Sequence, residues 1–405
     1  MTGQVPDSLQ LATLKAAGED LAGRTLATDR EVRLAIELGN ALVTAGWTEV
    51  ALALARMVVD LRPGNLDGLD LITRVALERA APDVALGAVE RQLGRAPRNE
   101  RLRRMHARLL LAAGQAAEAA DIFGALTEQR SGDIPLRFQA ARACVQAQEW
   151  TRAIAHLDVA LPRQPKNLRG HLDRILAVER TLGPDAAIEV CEAAIAAHGP
   201  HPQLALRLGQ LVAAAGRDEE AVRILSEARQ AFPSAIGVAE AFGAVLRKTG
   251  DRAAARRLYD EALRAKPDLA SGWLAMAAMA AEDDDLQEAL DICDQGLAQA
   301  PGHHALRLQK ADLCRRLGRL DEAMAQCRDA LAARPEDIGA RMKLGAVLVE
   351  LDRFEEADAL FLEVLERQPR HNAALLGRVT IAKRLGQPEA GIALLHERLA
   401  GPTSC

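Results

Sequence analysis

The chain has 405 residues, of which 49% are hydrophobic and 26% are charged, and this balance is typical of a folded protein. The net charge of −5 and the aromatic content of 2% argue against a dedicated nucleic-acid-binding protein, because they provide neither a basic surface nor many base-stacking rings. No apolar run is long enough to span a membrane, and none of the six cysteines forms a CxxC pair, so we expect reduced thiols and a cytoplasmic location.

Residues 1–31 precede the first complete unit of the array and are predicted to form an N-terminal capping helix or tail. Their apolar residues have the spacing of an amphipathic helix: Leu9, Leu11, Leu14 and Leu21. The run from Thr28 to Glu31 is typical of a capping box, in which each side chain accepts a hydrogen bond from the backbone of the other residue. This pattern predicts that a helix begins here.

Two residue types recur at an interval of 34 residues along the chain. The first is alanine: Ala51, Ala85, Ala119, Ala153, Ala187, Ala221, Ala255, Ala289, Ala323 and Ala357, followed by Gly391. The second is proline, with Ser131 and Gly199 in the two gaps: Pro63, Pro97, Pro165, Pro233, Pro267, Pro301, Pro335 and Pro369. Chance does not hold two residue types in one register over this length, so the chain is an array of 34-residue units.

Each unit is predicted to be a helical hairpin. In the first unit Gly46 ends one helix, because glycine adopts the positive φ that a tight helix end requires. A second helix crosses the first at Ala51, where only a methyl group fits between the backbones. Pro63 ends this second helix because proline has no N–H to continue it. In later units the crossing residues Ala221 and Ala255 are expected to be fully buried.

The pattern resembles the tetratricopeptide repeat. Trp273 occupies the tryptophan position of that repeat, and Phe123, Tyr259 and Phe361 occupy its large second-helix position. The resemblance covers residues 32–405 as about eleven units, which begin near residues 32, 66, 100, 134, 168, 202, 236, 270, 304, 338 and 372. It implies an all-α fold, a right-handed superhelical solenoid of 34-residue helix-turn-helix repeats.

The fifth unit, residues 168–201, is the least regular. Its Gly183 lies four residues before the crossing Ala187, whereas Gly216 and Gly250 lie five residues before theirs. We therefore expect a local change of geometry, a bend in the solenoid, at this unit.

In proteins of the family that this chain resembles, positions 2, 5, 9 and 12 of the first helices line a concave groove that holds ligands. Position 9 is Arg74, Arg108 and Arg142 in three successive units, and the middle unit adds Arg101 and Arg104. Arginine at these positions suits carboxylate or phosphate groups, which a guanidinium binds with two parallel hydrogen bonds. The pattern predicts a site for an acidic protein segment.

The alternative is a solvated arginine-rich face that is partly neutralised by Asp67, Asp70 and Glu78. The two-carboxylate clamp of the family combines lysine and asparagine at these positions. Only Asn40 fits that clamp, so its specificity is not carried over, although Asn40 is kept as a candidate partner-binding residue.

Position 5 of the later units is mostly apolar, and its candidate binding residues are Leu274, Leu308, Met342 and Leu376. Leu206 belongs to the same series, and Glu240 interrupts it. If exposed, these side chains would form an apolar strip for a partner helix or peptide. The alternative, which we favour, is that stacking of the repeats half-buries them.

The last second helix carries more apolar residues than one inward-facing stripe requires: Ile392, Leu394, Leu395 and Leu399. We expect this end to pack against a second copy of the chain, a partner or a further domain, because exposed apolar patches commonly mark interfaces. The alternative is simple fraying of a terminal helix.

The sequence shows no catalytic, cofactor or metal motif. The acidic run from Glu282 to Asp285 and the pair His303-His304 are interpreted as ordinary turn residues, and Cys293 and Cys327 as small core residues. The prediction is a non-enzymatic scaffold or adaptor that binds a protein segment. Two alternatives remain open: a recruitment subunit for a separate glycosyltransferase or sulfotransferase, and a self-assembling structural protein, including a homodimer through the C-terminal end.

Overall fold

A computed structural model describes residues 8–22, 28–387 and 389. These residues form 22 α-helices and no strand: α1 (Ser8–Ala22), α2 (Asp29–Thr44), α3 (Thr48–Leu61), α4 (Leu66–Glu78), α5 (Asp83–Arg95), α6 (Glu100–Ala112), α7 (Ala116–Gln129), α8 (Ile134–Gln146), α9 (Trp150–Ala160), α10 (Leu168–Leu182), α11 (Pro184–His198), α12 (Pro202–Ala214), α13 (Asp218–Ala231), α14 (Ile236–Thr249), α15 (Arg252–Ala265), α16 (Ala270–Glu282), α17 (Leu286–Gln299), α18 (His304–Arg316), α19 (Leu320–Ala333), α20 (Ile338–Glu350), α21 (Phe354–Arg367) and α22 (Asn372–Arg384).

From α2 onward the even-numbered helices are the first helices of the repeats and the odd-numbered helices are the second ones. The two helices of a repeat pack together, as α2 does with α3 and α20 with α21. Second helices also pack on the first helix of the next repeat, as α3 does on α4 and α17 on α18. The predicted all-α solenoid of helix-turn-helix repeats is confirmed. Among the described helices, none has both the length and the apolar character needed to cross a membrane.

The chain divides into two compact units, Met1–Leu211 and Val212–Cys405, with the division inside α12. In the first unit α1 packs on α2 and α3, and Leu21 contacts the core that these helices build. The largest core side chain of this unit is Phe123, which is fully buried. In the second unit the core is built around Tyr259 and Phe361.

The helices begin where local side chains can cap them. Thr28 accepts a hydrogen bond from the N–H of Glu31, and Glu31 accepts one from the N–H of Thr28 at 2.8 Å, which confirms the predicted capping box. The next first helices are capped by Asn65, Asn99 and Asp133, whose side-chain oxygens accept N–H groups of the first turn.

The turn between the two helices of a repeat has one left-handed residue at a fixed position. Glycine occupies it in six repeats, at Gly46, Gly114, Gly216, Gly250, Gly318 and Gly386, and other residues occupy it in four, at Ala80, Gln148, Asp284 and Asp352. In the fifth repeat the residue with positive φ is Gly183, one position later, because α10 continues to Leu182. The predicted shift of register in this repeat is therefore present.

The crossing of the two helices is as close as the sequence predicts. The alanines at this position are all fully buried: Ala51, Ala85, Ala119, Ala153, Ala187, Ala221, Ala255, Ala289, Ala323 and Ala357. A larger side chain at any of them would have to displace the facing backbone.

Candidate partner-binding site

Equivalent first-helix positions of neighbouring repeats contact each other in the first unit. Arg74 donates a hydrogen bond from Nη1 to the Oδ1 of Asn40, 34 residues earlier, at 2.6 Å. Arg101 forms an ion pair with Asp67, also 34 residues earlier, with 2.7 Å between Nη2 and Oδ1. These contacts show that first-helix positions 2 and 9 are stacked from one repeat to the next. We call the surface formed by positions 2, 5, 9 and 12 the first-helix face.

Arg104 belongs to a separate ion-pair network at the start of α6. Its guanidinium lies 2.8 Å from Glu100 and 2.5 Å from Asp133, and Arg130 also pairs with Glu100 at 2.7 Å. Burial opposes ionisation of Asp133, but hydrogen bonds from the Leu136 N–H and from Arg104 outweigh it and lower the pKa of this carboxyl group. Arg104 is thus neutralised within the chain.

Arg108 and Arg142 line the same cleft, and this shared location distinguishes them from the other three arginines. The cleft has a volume of about 380 Å³ and is lined by Leu77, Arg108, Leu111, Ala112, Phe123, Gln139, Arg142 and Gln146. Across residues 8–22, 28–387 and 389, neither guanidinium has an ion pair or a hydrogen bond. The five predicted arginines therefore separate into three with partners in the chain and two that face one opening.

The cleft can bind an anion that carries an apolar group. Two guanidiniums supply positive charge and hydrogen-bond donors, and the amides of Gln139 and Gln146 add donors beside them. Leu77 and Leu111, which are half-buried, provide an apolar wall. Sequence analysis did not select the two glutamines, although both lie three or four residues from position 9 on α8, on the same side of that helix.

The apolar residues predicted at position 5 lie mainly between stacked helices. In the second unit Leu274, Leu308 and Met342 are half-buried, and Leu376 is exposed to 57%. The favoured alternative, half-burial by stacking, describes the first three.

The residues predicted for self-association, Ile392, Leu394, Leu395 and Leu399, lie outside the described residues.

The residues of possible catalytic or metal-binding type have structural partners. Glu282 and Asp283 pair with Arg252, and Asp285 caps α17. His303 caps α18, and His304 lies 2.8 Å from Asp337. In the described part of the chain no group of three histidine, cysteine or acidic side chains is arranged to hold a metal ion.

The cysteines of the described chain are buried free thiols: Cys144, Cys191, Cys293, Cys314 and Cys327. Burial raises the pKa of Cys293 to about 12 and that of Cys327 to about 11, so both are protonated at neutral pH. A protonated thiol is a poor nucleophile, and these two residues act as small core side chains.

Comparison with protein families identifies the repeats. Two tetratricopeptide repeat models match, one at residues 110–172, 184–241, 280–338 and 317–379 and the other at residues 241–304. Together the matches cover more than half of the chain. The chain belongs to the tetratricopeptide repeat family. Such repeats support a general role in protein–protein interaction, and proteins built from them are in general adaptors without enzymatic activity.

Solved structures with similar tetratricopeptide arrays have low sequence identity to this chain. Yeast Tom70 has 12% identity and a TM-score of 0.47, with 93% of each chain covered. A tetratricopeptide repeat protein from Parabacteroides merdae has 14% identity and a TM-score of 0.46, over 61% of this chain and 98% of that one. Pseudomonas aeruginosa pilF has 20% identity and a TM-score of 0.41, over 53% of this chain and 97% of that one. No curated relative matches the chain in sequence. At these TM-scores the similarities carry no argument about function.

Proposed function

We propose that this tetratricopeptide protein is an adaptor that holds a partner protein segment on the first-helix face of its first unit. An anionic group of that segment lies between Arg108 and Arg142. The observation that carries the proposal is the cleft that these two residues line, in which neither guanidinium forms a hydrogen bond or an ion pair within the described chain, although Arg142 interacts electrostatically with Asp173.

Two like charges at one opening favour an anionic ligand. Bringing two guanidiniums to one cleft costs electrostatic energy, and an anion placed between them relieves it. A carboxylate or a phosphate accepts two parallel hydrogen bonds from one arginine, which also fixes its orientation. Gln139 and Gln146 would select ligands with a further acceptor, and Leu111 would contact the apolar part of the segment.

The neighbouring arginines would support the site without contacting the ligand. Arg74 is bonded to Asn40, and Arg101 is paired with Asp67, so both hold the stacked first helices in register.

We further propose a cytoplasmic location, which the buried free thiols of the described chain support, because cytoplasmic thiols are kept reduced.

The proposal is tested with peptides selected from a random displayed library against the wild-type chain. Selected peptides should be enriched in acidic residues. Replacing Arg108→Glu together with Arg142→Glu should weaken their binding roughly tenfold or more, since attraction becomes repulsion. Raising the salt concentration should weaken wild-type binding in the same direction.

A matched control is the pair Arg98→Glu and Arg163→Glu, two exposed arginines of the same unit. This variant has the same net charge as the test variant and should bind as the wild type does. Equal weakening in both variants would show that only net charge matters and would contradict a specific cleft.

A further inference from the structure

At some junctions a recurrent contact joins the second helix of one repeat to the first helix of the next. It connects a residue of the second helix to the residue 16 positions later, at position 7 of the following first helix. At three junctions the two residues are an acid and a base: Glu90 with His106 at 3.4 Å, Asp158 with Arg174 at 2.7 Å and Asp294 with Lys310 at 2.5 Å. The chain thus repeatedly places a base against an acid at this position.

The junction between α15 and α16 has the acid but lacks the base. Asp260 occupies the acidic position and Met276 occupies the position of the base. Asp260 is half-buried and makes no hydrogen bond or ion pair with any described residue. Glu192 and Leu208 show the same combination elsewhere, but Glu192 is exposed to solvent. An unpaired carboxylate costs more free energy when it is half-buried, as in Asp260, than when it is exposed to water, as in Glu192.

Asp260 lines a cleft with a volume of about 440 Å³ in the second unit. The lining residues are Arg256, Asp260, Leu263, Arg264, Trp273, Met276, Glu288, Asp291, Ile292 and Gln295. The ring of Trp273 is held in place because its Nε1–H donates to the carbonyl of Pro267 at 2.8 Å. Gly296 lets this ring pack directly on α17, since a Cβ there would lie 2.8 Å from the ring.

The same repeat positions form a cleft in the first unit, and there the carboxylate has its cation. That cleft has a volume of about 350 Å³, and Asp158, His171 and Arg174 stand at the positions of Asp260, Trp273 and Met276. Arg174 donates from Nε to Asp158 at 2.7 Å. The carboxylate at this repeat position therefore pairs with a guanidinium in the first unit, and a similar cation would suit Asp260 in the second.

The other charges in the second-unit cleft do not replace that cation. Arg256 interacts electrostatically with Asp260 but forms its ion pair with Glu288, and Asp291 accepts a hydrogen bond from Gln287 at 2.8 Å. Arg264 is exposed and lies one helical turn beyond Asp260, and the two side chains are not paired. Asp260 is left as the acid of the cleft without a counter-ion in contact.

We propose that this cleft binds a lysine or arginine side chain of a partner protein. Its charged end would pair with Asp260 and lie against the ring of Trp273, which attracts cations through its π face. Its methylene groups would contact Met276 and Leu263. This site is lined by α15, α16 and α17 and shares no residue with the arginine cleft of the first-helix face, so each proposal can fail without the other.

The test uses the full chain with the indole N–H signals of its three tryptophans as the readout in NMR titrations. The signal of Trp273 is assigned with Trp273→Phe. The probes are the blocked peptides acetyl-Ala-Lys-Ala-amide and acetyl-Ala-norleucine-Ala-amide, which have closely similar shapes and differ in charge. We expect a saturable shift of the Trp273 signal with the lysine peptide and none with the norleucine peptide.

Two variants act on the cleft in opposite chemical ways and should both abolish the shift. Asp260→Asn removes the charge at nearly constant shape. Met276→Lys supplies an internal cation, as Lys310 does for Asp294. Glu192→Gln is the control, since it removes the equivalent exposed acid, and it should keep the full response.

Far-UV circular dichroism establishes whether each variant is folded. If Met276→Lys does not fold, the result with Asp260→Asn alone tests the proposal. Absence of a shift with the lysine peptide, an equal shift with the norleucine peptide, or an undiminished shift in Asp260→Asn would overturn the proposal.

Discussion

At the residue scale, the turn between the two helices of a repeat depends on one left-handed position. Gly114 fills it with φ of +83°, and Ala80 fills it in the preceding repeat with φ of +50°. A side chain at positive φ brings its Cβ close to the backbone carbonyl, which costs roughly 1–2 kcal/mol. Both residues are exposed, and a Cβ added at Gly114 would have no atom within 4 Å, so the difference is one of backbone conformation.

We predict opposite effects of exchanging the two residue types. Ala80→Gly should stabilise the first unit by about 1 kcal/mol or less, because relief of strain is partly offset by the greater entropy of glycine in the unfolded chain. Gly114→Ala should destabilise it by roughly 1 kcal/mol. Urea unfolding followed by circular dichroism measures both changes. Two changes of the same sign would contradict this explanation.

In this array, residue type alone does not determine whether a side chain has a hydrogen-bond partner. Arg74, Arg108 and Arg142 occupy one repeat position, yet only Arg74 finds a hydrogen-bond acceptor, the amide oxygen of Asn40, in the described chain. The difference arises because the preceding repeat offers Asn40 to Arg74 but another arginine to Arg108 and to Arg142.

At the element scale, the closeness of the two helices of a repeat is set by one alanine. Ala255 on α15 is fully buried, and Gly243 on the facing helix α14 packs against Tyr259, so that an added Cβ would lie 2.9 Å from the ring. The hairpin therefore relies on small residues on both helices.

Enlarging the crossing residue should overpack the hairpin. We predict that Ala255→Leu and Ala221→Leu each lower the free energy of unfolding by roughly 1–3 kcal/mol, because the helices must separate or the side chain must leave its preferred rotamer. Ala253→Leu, at an exposed position of the same helix α15, is the matched control and should be nearly neutral. Thermal and urea unfolding measure the difference. A crossing variant as stable as its control would rule out close packing at this residue.

At the scale of the whole molecule, each repeat buries its apolar surface against its neighbours along the chain. The clusters of buried side chains accordingly run across successive hairpins, as between Leu42 and Leu109 in the first unit. The apolar surface of a repeat is buried only where a neighbouring repeat or another surface covers it.

The self-association predicted for the C-terminal end belongs to this scale. Its residues lie outside the described part of the chain, so it stays a prediction from the sequence. Light scattering across a dilution series should show a mass that rises with concentration, and Leu395→Glu should lower it towards the monomer. Leu182→Glu changes another leucine, which is 71% exposed in the first unit, and should have no effect. A monomer at every concentration would remove the homodimer.

The helices and their repetition could be predicted from the amino-acid sequence alone. The starts of the first helices, the left-handed turn residues and the crossing alanines all follow from short-range constraints, namely capping, positive φ and the space between two backbones. These constraints act within one hairpin, and a spacing of 34 residues repeats them. Even the irregularity of the fifth repeat could be predicted, because the displaced Gly183 is a local signal in the sequence.

The pairing of side chains, and which of them face an opening, could not be predicted without the three-dimensional arrangement of the repeats. Periodicity assigns Arg104 and Arg108 to the same face, but it does not show that Asp133, from the next repeat, neutralises the first and leaves the second unpaired. Nor does it show that Asp260 opens into a cleft while Asp158 meets Arg174. Ion pairs form over about 3 Å between residues of neighbouring repeats, so they depend on how the hairpins stack, which spacing along the chain does not specify.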